Sequence, residues 1–150
     1  MGENELKLQF RLIGINTKEF AVVEDDFSRK EPSNLGASVN FGIDEEKRAI
    51  SVDTKFQFEQ KKKPFLIISV RCGFELGAQT WTKLFNEETN NLLLPQNFAS
   101  HLAVITVGTT RGVLHEKTNH TPFNAFMLPL INLTEMIKGD VSIKLGEKKE

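Results

Sequence analysis

The run from Pro64 to Leu76, PFLIISVRCGFEL, constrains this chain more than any other segment. Leu66, Ile68, Val70, Cys72, Phe74 and Leu76 recur at every second position, the period that puts side chains on one face of a β-strand. Phe65, Ile67 and Ser69 take the opposite face, so the start of this strand is apolar on both sides. A strand of that kind is covered on both faces, which in a small protein predicts a subunit interface or a covering helix. Three more segments alternate. In 6–15, LKLQFRLIGI, the residues Leu6, Leu8, Phe10 and Leu12 share a face, and the apolar side switches around Gly14, which predicts a bulge or bend. Val39, Phe41 and Ile43 mark a strand over 37–43, and Ile50, Val52, Phe56 and Phe58 mark one over 49–58. The charged turn 44–48 between them predicts an antiparallel hairpin. The polar stretch 24–36, with Pro32 and Gly36, reads as an exposed connection.

After Leu76 the pattern changes. Pro95 and Asn97 are an initiator and a cap, and Phe98, Leu102 and Ile105 fall at helical spacing. Together they predict a main helix over 97–111, stopped by Gly112. The β-branched run Val104 to Val107 is a competing strand signal. Residues 115–127, rich in Asn, Thr and Phe, read as an irregular loop. Thr134 is placed to cap a last short helix, and the charged end, 144–150, is expected to fray. Strands followed by helices make this an α+β chain, and 150 residues are expected to form one domain.

Composition narrows the functional classes. The chain is 39% hydrophobic and 26% charged, inside the globular range. It has twelve Phe against no Tyr and one Trp. Phe brings large apolar area with no polar handle, and a surplus beyond the core suits an apolar surface. A net charge of −1 argues against nucleic acid as the main partner, since phosphate binding needs a positive excess. The one dense basic run, Lys61-Lys62-Lys63, reads as a solvated turn, with a contact patch for acidic groups as the alternative. Cys72 is the single cysteine, so there is no intrachain disulfide, which fits a reducing compartment. MGENELKLQF carries no signal-peptide pattern, and no apolar run approaches the roughly 18 residues that span a bilayer. The expectation is a cytoplasmic protein that does not insert into membranes.

Catalytic patterns are not found. His115 and His120 are five residues apart and share no helical face, and no Cys-x-x-Cys accompanies them or His101. Cys72 sits in an apolar stripe and reads as an inert core thiol. Ser100 beside His101 cannot make a triad locally, and neither G-x-S-x-G nor a phosphate-binding loop occurs. The sequence therefore assigns no catalytic residue, metal or cofactor, and the protein is expected not to be an enzyme.

Several short elements in fixed order carry a family resemblance. Cys72-Gly73-Phe74 ends the last long strand. Leu92-Leu93-Leu94-Pro95 leads into the helix, and Thr110-Arg111-Gly112 stands at its far end. Leu128-Pro129-Leu130-Ile131-Asn132-Leu133 follows the Phe-rich loop. Together, over residues 6–138, these resemble the SecB-like export chaperones. The resemblance implies a four-stranded antiparallel sheet followed by a main helix, a crossover loop and a short second helix. It implies an ATP-independent chaperone for unfolded polypeptides, serving export or protecting one client such as an antitoxin. It also implies a homotetramer built as a dimer of dimers. The tail, Glu147-Lys148-Lys149-Glu150, does not resemble the one that helps engage the SecA motor, so SecA is the weaker of the implied partners.

On this resemblance the client groove is expected at Phe41, Phe123, Phe126, Met127 and Leu128. Ordinary packing is the competing reading for each ring. The oligomer interface is expected at Leu8, Phe10, Leu66, Ile68, Val70, Leu102 and Ile105, against burial within one subunit. The alternative function is a small apolar-ligand or structural module. A closed cavity under the helix would favour that module, and a long open groove would favour the chaperone.

Overall fold

The computed structural model describes residues 8–146. Four long strands form the main sheet: β1 (Phe10–Val22), β2 (Asn34–Asp44), β3 (Ala49–Gln60) and β4 (Lys63–Leu76). Their order is β1-β4-β3-β2, and every neighbouring pair is antiparallel. Strands β2, β3 and β4 follow one another through tight turns. The segment 23–33 must carry the chain from one edge of the sheet to the other.

Register explains two features of the sequence. The pairing of β1 slips between Leu12 and Gly14, and again between Thr17 and Glu19, so the apolar side switches where the alternation broke. In β4, Glu59 pairs with Pro64 and Phe58 with Leu66, which leaves Phe65 as an extra, bulged residue. This corrects the expectation of apolar cover on two faces at that point. The Phe65 ring joins Phe58, Phe123 and Phe126, on the side where Leu66 is buried, at centroid distances of 6.4, 6.2 and 5.1 Å.

After β4 come α1 (Ala78–Leu84), β5 (Phe85–Asn86), β6 (Asn91–Leu94), the main helix α2 (Gln96–Lys117), α3 (Leu133–Met136) and β7 (Val141–Lys144). The expected order of sheet, main helix, crossover and short helix is present. A second antiparallel sheet, β5-β6-β7, and the helix α1 are additional. The strands of that second sheet are four residues or shorter. That is too short for a period-two pattern to mark them.

Helix α2 runs past Gly112 to Lys117, about 33 Å in all. Gly112 lies on the exposed side, and Leu114 beyond it is buried, so packing outweighs the roughly 1 kcal/mol a helical glycine costs. The cap also differs from expectation. Pro95 is the N-cap residue, Asn97 is exposed in the first turn, and the Gln96 N–H donates to Asp140 Oδ1 at 2.9 Å. Asn132, not Thr134, caps α3, its side chain accepting from the Thr134 N–H at 3.2 Å. Leu145 is buried, and its N–H donates to Asn90 O, so the chain is held at least that far. The Gly146 N–H donates to Glu45 Oε1 at 2.6 Å, and the rest of the end expected to fray, residues 147–150 with the SecA-related tail, lies outside the described residues.

The core is the contact between α2 and the even-numbered face of β3 and β4. Ile50, Val52, Phe56, Ile68, Val70 and Phe74 from the sheet meet Phe98, Ala99, Leu102, Ala103 and Val107 from the helix. One polar seam interrupts it. Thr54 and Thr110 hydroxyls lie 2.7 Å apart, and Thr110 Oγ1 donates to the Thr106 carbonyl at 2.7 Å. Cys72 is fully buried beside this seam. Burial pushes its thiol up, and side-chain hydrogen bonds with Thr106 and Thr109 offset part of the rise.

Lys61 and Lys62 bridge β3 and β4 at φ 54° and 66°, the left-handed pair of a type I′ turn. Lys62→Gly should raise stability by about 1 kcal/mol in chemical denaturation, because glycine removes the left-handed strain. Cys72 should resist thiol reagents in the native protein and react at once in denaturant. Its raised value also sets a sign: the unfolded chain loses its thiol proton first, so this contribution to stability fades as pH rises beyond the ordinary thiol range. Cys72→Ser should flatten that alkaline loss in a pH series of melting temperatures.

Candidate functional site

The crossover after α2 is built on one arginine. Arg111 Nε donates to the Leu128 carbonyl at 3.0 Å and its terminal nitrogen to the Pro129 carbonyl at 2.9 Å. The guanidinium fork suits two adjacent carbonyls, so the Thr-Arg-Gly element pins the Leu-Pro-Leu element to the helix. Thr110 of the same element joins the buried hydroxyl seam. Pro129 holds the residue before it in extended backbone, which lets Leu128 turn inward while Leu130 stands out. Leu130 is 96% exposed and Met127 53% exposed, whereas Leu128 is buried.

A cluster of five Phe rings fills the space between this crossover and the 23–33 connection. Phe27 lies 4.9 Å from Phe65, 5.1 Å from Phe123 and 5.7 Å from Phe126, and Phe58 lies 5.3 Å from Phe126. Gln60 closes the cluster's polar side. Its amide donates to the carbonyls of Ser28 and Glu31 and to Ser33 Oγ, and its oxygen accepts from the Ser28 N–H. A cleft of about 440 Å³ opens there beside Phe27, Gln60 and Phe126.

The residues singled out from the sequence land in different settings. In the groove set, Phe123 and Leu128 are buried, Phe41 and Phe126 are half-buried, and Met127 is exposed. Phe123, Phe126, Met127 and Leu128 share the crossover. Phe41 sits apart on β2, beside a cleft of about 630 Å³ between β2 and β7. In the interface set, Leu66, Ile68, Val70 and Leu102 are fully buried within the single chain, so they have no area left to offer a partner. They are core residues, because α2 covers the stripe that the sequence left open to either reading. Leu8, Phe10 and Ile105 are half-buried.

The exposed apolar surface is aliphatic rather than aromatic. Leu12, Ile13 and Ile15 stand out on β1, Val104 on α2, Leu93 on β6, and Met127 and Leu130 on the crossover. Every Phe is buried or half-buried, so the Phe surplus supplies the core and its rims. Phe27, Phe58 and Gln60 were not among the sequence candidates. Phe27 lies in a polar stretch without periodicity, and nothing local marks it as an anchor.

The face of the sheet turned away from α2 is charged. Arg71 grips Asp53 with two hydrogen bonds of 2.6 and 2.8 Å, which keeps the guanidinium charged, and Arg11 pairs with Glu75 at 2.8 Å. The histidines are scattered: His101 packs edge-on to Phe10, and the His115 carbonyl accepts from the Asn124 amide. Among the described residues no group of His, Cys, Asp and Glu is placed to hold a metal ion, and no helix is long and apolar enough to cross a membrane.

No family model matches the sequence, and no curated protein matches it. In structure the chain is similar to a SecB-like chaperone of Mycobacterium tuberculosis, solved in complex with a ChAD peptide from an antitoxin. The two share 8% sequence identity, with 83% of this chain and 90% of that chain covered, at a TM-score of 0.44.

Proposed function

We propose that this protein is a SecB-like chaperone that binds unfolded polypeptide without ATP, in export or in protecting a specific client such as an antitoxin. The observation that carries this reading is the crossover. Arg111 holds the backbone of Leu128 and Pro129 to α2 while Met127 and Leu130 face solvent. Fixed, exposed apolar side chains can capture unfolded chain without the entropy cost of ordering a loop first. Met127 adds an adaptable side chain suited to varied sequences. A client segment burying on the order of 1,000 Å² would gain roughly 25 kcal/mol gross, much of it lost in ordering the client.

The homotetramer belongs to the same proposal. With Leu66, Ile68, Val70 and Leu102 inside the core, the exposed apolar residues left for subunit contact on the α2 side are Leu12 and Ile15 on β1 and Val104 on α2. Apolar surface of that kind is a hazard on a monomer. The ligand-pocket alternative is less favoured. The Thr54 and Thr110 hydroxyls touch at 2.7 Å directly beneath α2, which leaves no ligand-sized space at that point.

Two measurements test the reading. Light scattering behind size exclusion, with and without a reduced unfolded client, should give an oligomer that retains the unfolded client and ignores its folded form. A monomer that ignores unfolded chains would sink the proposal. Leu130→Asp should weaken client binding about tenfold with the melting temperature unchanged, since Leu130 buries almost nothing in the free protein. Phe123→Asp should instead destabilise the fold by several kcal/mol, because its carboxylate would be buried among rings.

A further inference from the structure

One ring of the aromatic cluster is held differently from the others. Phe58 and Phe65 stand on β3 and β4. Phe123 and Phe126 stand on the crossover, whose 3-10 turn is capped by Thr121 and whose far end Arg111 ties to α2. Phe27 is the one ring in the 23–33 connection, VEDDFSRKEPS, whose other residues are mostly charged or polar. Its ring still lies among Phe65, Phe123 and Phe126, at centroid distances of 4.9, 5.1 and 5.7 Å.

A single side chain carries most of the attachment of that connection to the sheet. Buried Gln60 accepts from the Ser28 N–H at 2.8 Å. Its amide donates to the Ser28 carbonyl at 3.0 Å, the Glu31 carbonyl at 3.3 Å and Ser33 Oγ at 3.1 Å. Other backbone bonds stay inside the connection: Asp26 N–H to Val23, Phe27 N–H to Glu24 and Glu31 N–H to Ser28. The Val23 N–H, donating to the Phe65 carbonyl at 2.8 Å, fixes only its start. The ion pair of Glu31 with Lys61 at 3.3 Å adds little, since the Lys61 side chain is 74% exposed. The connection is thus a piece folded on itself and hung from Gln60. Hydrogen bonds of that neutral kind exchange with water at small net cost, and the cleft of about 440 Å³ opens beside them.

We propose that Phe27 is a resident plug, an aromatic side chain of this chain that fills the cluster until an aromatic side chain of the client displaces it. This rests on the chaperone reading and says how its site is closed and opened. With Phe27 lifted away, Phe65, Phe123 and Phe126 would border the cleft directly, as a slot walled by rings that suits another ring. Left open in the free protein, such a slot would be an aggregation hazard, and Phe27 covers it. The charged residues around Phe27 let the released connection dissolve in water. A client ring then replaces a ring of the same shape, and its apparent affinity is reduced by the fraction of molecules in which the plug is seated. Gln60 sets that fraction.

The test uses the full protein with an unstructured peptide holding a single Phe, and with the same peptide carrying alanine in that place. Amide hydrogen exchange at Ser28, held by Gln60 in the free protein, should quicken by about tenfold or more when the Phe peptide binds, with β3 and β4 unchanged. Phe27→Ala should bind the Phe peptide about tenfold more tightly, because no plug competes, although it melts lower for want of the ring. Gln60→Ala should also tighten binding, and serves as the second variant should Phe27→Ala not fold. A Phe peptide that binds with the Ser28 amide still protected overturns the plug and leaves the chaperone reading standing. So does a folded Phe27→Ala protein that binds no more tightly, which makes Phe27 ordinary packing. Equal binding of the two peptides overturns it as well, since no ring then enters the cluster. If the unmodified protein retains neither peptide nor a reduced, unfolded client, the chaperone reading falls and the plug with it.

Discussion

The seat of α2 on the apolar face of β3 and β4 is the contact on which the rest of this structure depends. That face is a continuous stripe of large side chains, and the helix is long enough to cover its middle. Burying such side chains contributes about 1.5–3 kcal/mol each, which makes the stripe the main source of stability. It also decides what remains outside. One helix cannot cover four strands, so the apolar residues of the edge strands are only partly hidden, and Leu12 and Ile15 remain in solvent.

The helix is located along its axis by polar contacts at both ends and in the middle. Asp140 and Gln96 tie its start to the segment before β7. The threonine seam sets its height over the sheet, since two hydroxyls must meet at hydrogen-bond distance inside an apolar layer. Arg111 ties its last third to the crossover. The crossover is thus held by the same helix that fills the core, which is how an exposed leucine comes to sit on fixed backbone. The aromatic cluster closes the far end, where Gln60 and five Phe rings join two long connections, before β2 and before α3, that each hold only a short 3-10 turn.

The two faces of the sheet divide the labour. One is apolar and occupied by α2; the other carries paired charges that keep it in water. The surfaces of the proposed function lie at the margins of the apolar side: the crossover and the exposed apolar residues of β1. The proposed function needs no reactive group, and the thiol of Cys72 is sealed beside threonines in the core and held neutral.

Local pattern alone determined the four long strands, their antiparallel hairpins and the existence of the main helix. The period of two in 49–58 and 64–76 and the period of 3.6 after Pro95 each bury a face that must find a partner. Three things were decided only in the folded chain. The bulge at Phe65 turned an apparent two-sided strand into a one-sided one, because a single extra residue reverses which way a side chain points. Helix α2 passed Gly112 because Leu114 had a core to enter, a gain that no local propensity contains. The interface candidates Leu66, Ile68, Val70 and Leu102 became core, and Leu130 became surface. An apolar stripe states only that it must be covered, and whether a helix of the same chain or another molecule covers it depends on contacts between residues far apart in sequence.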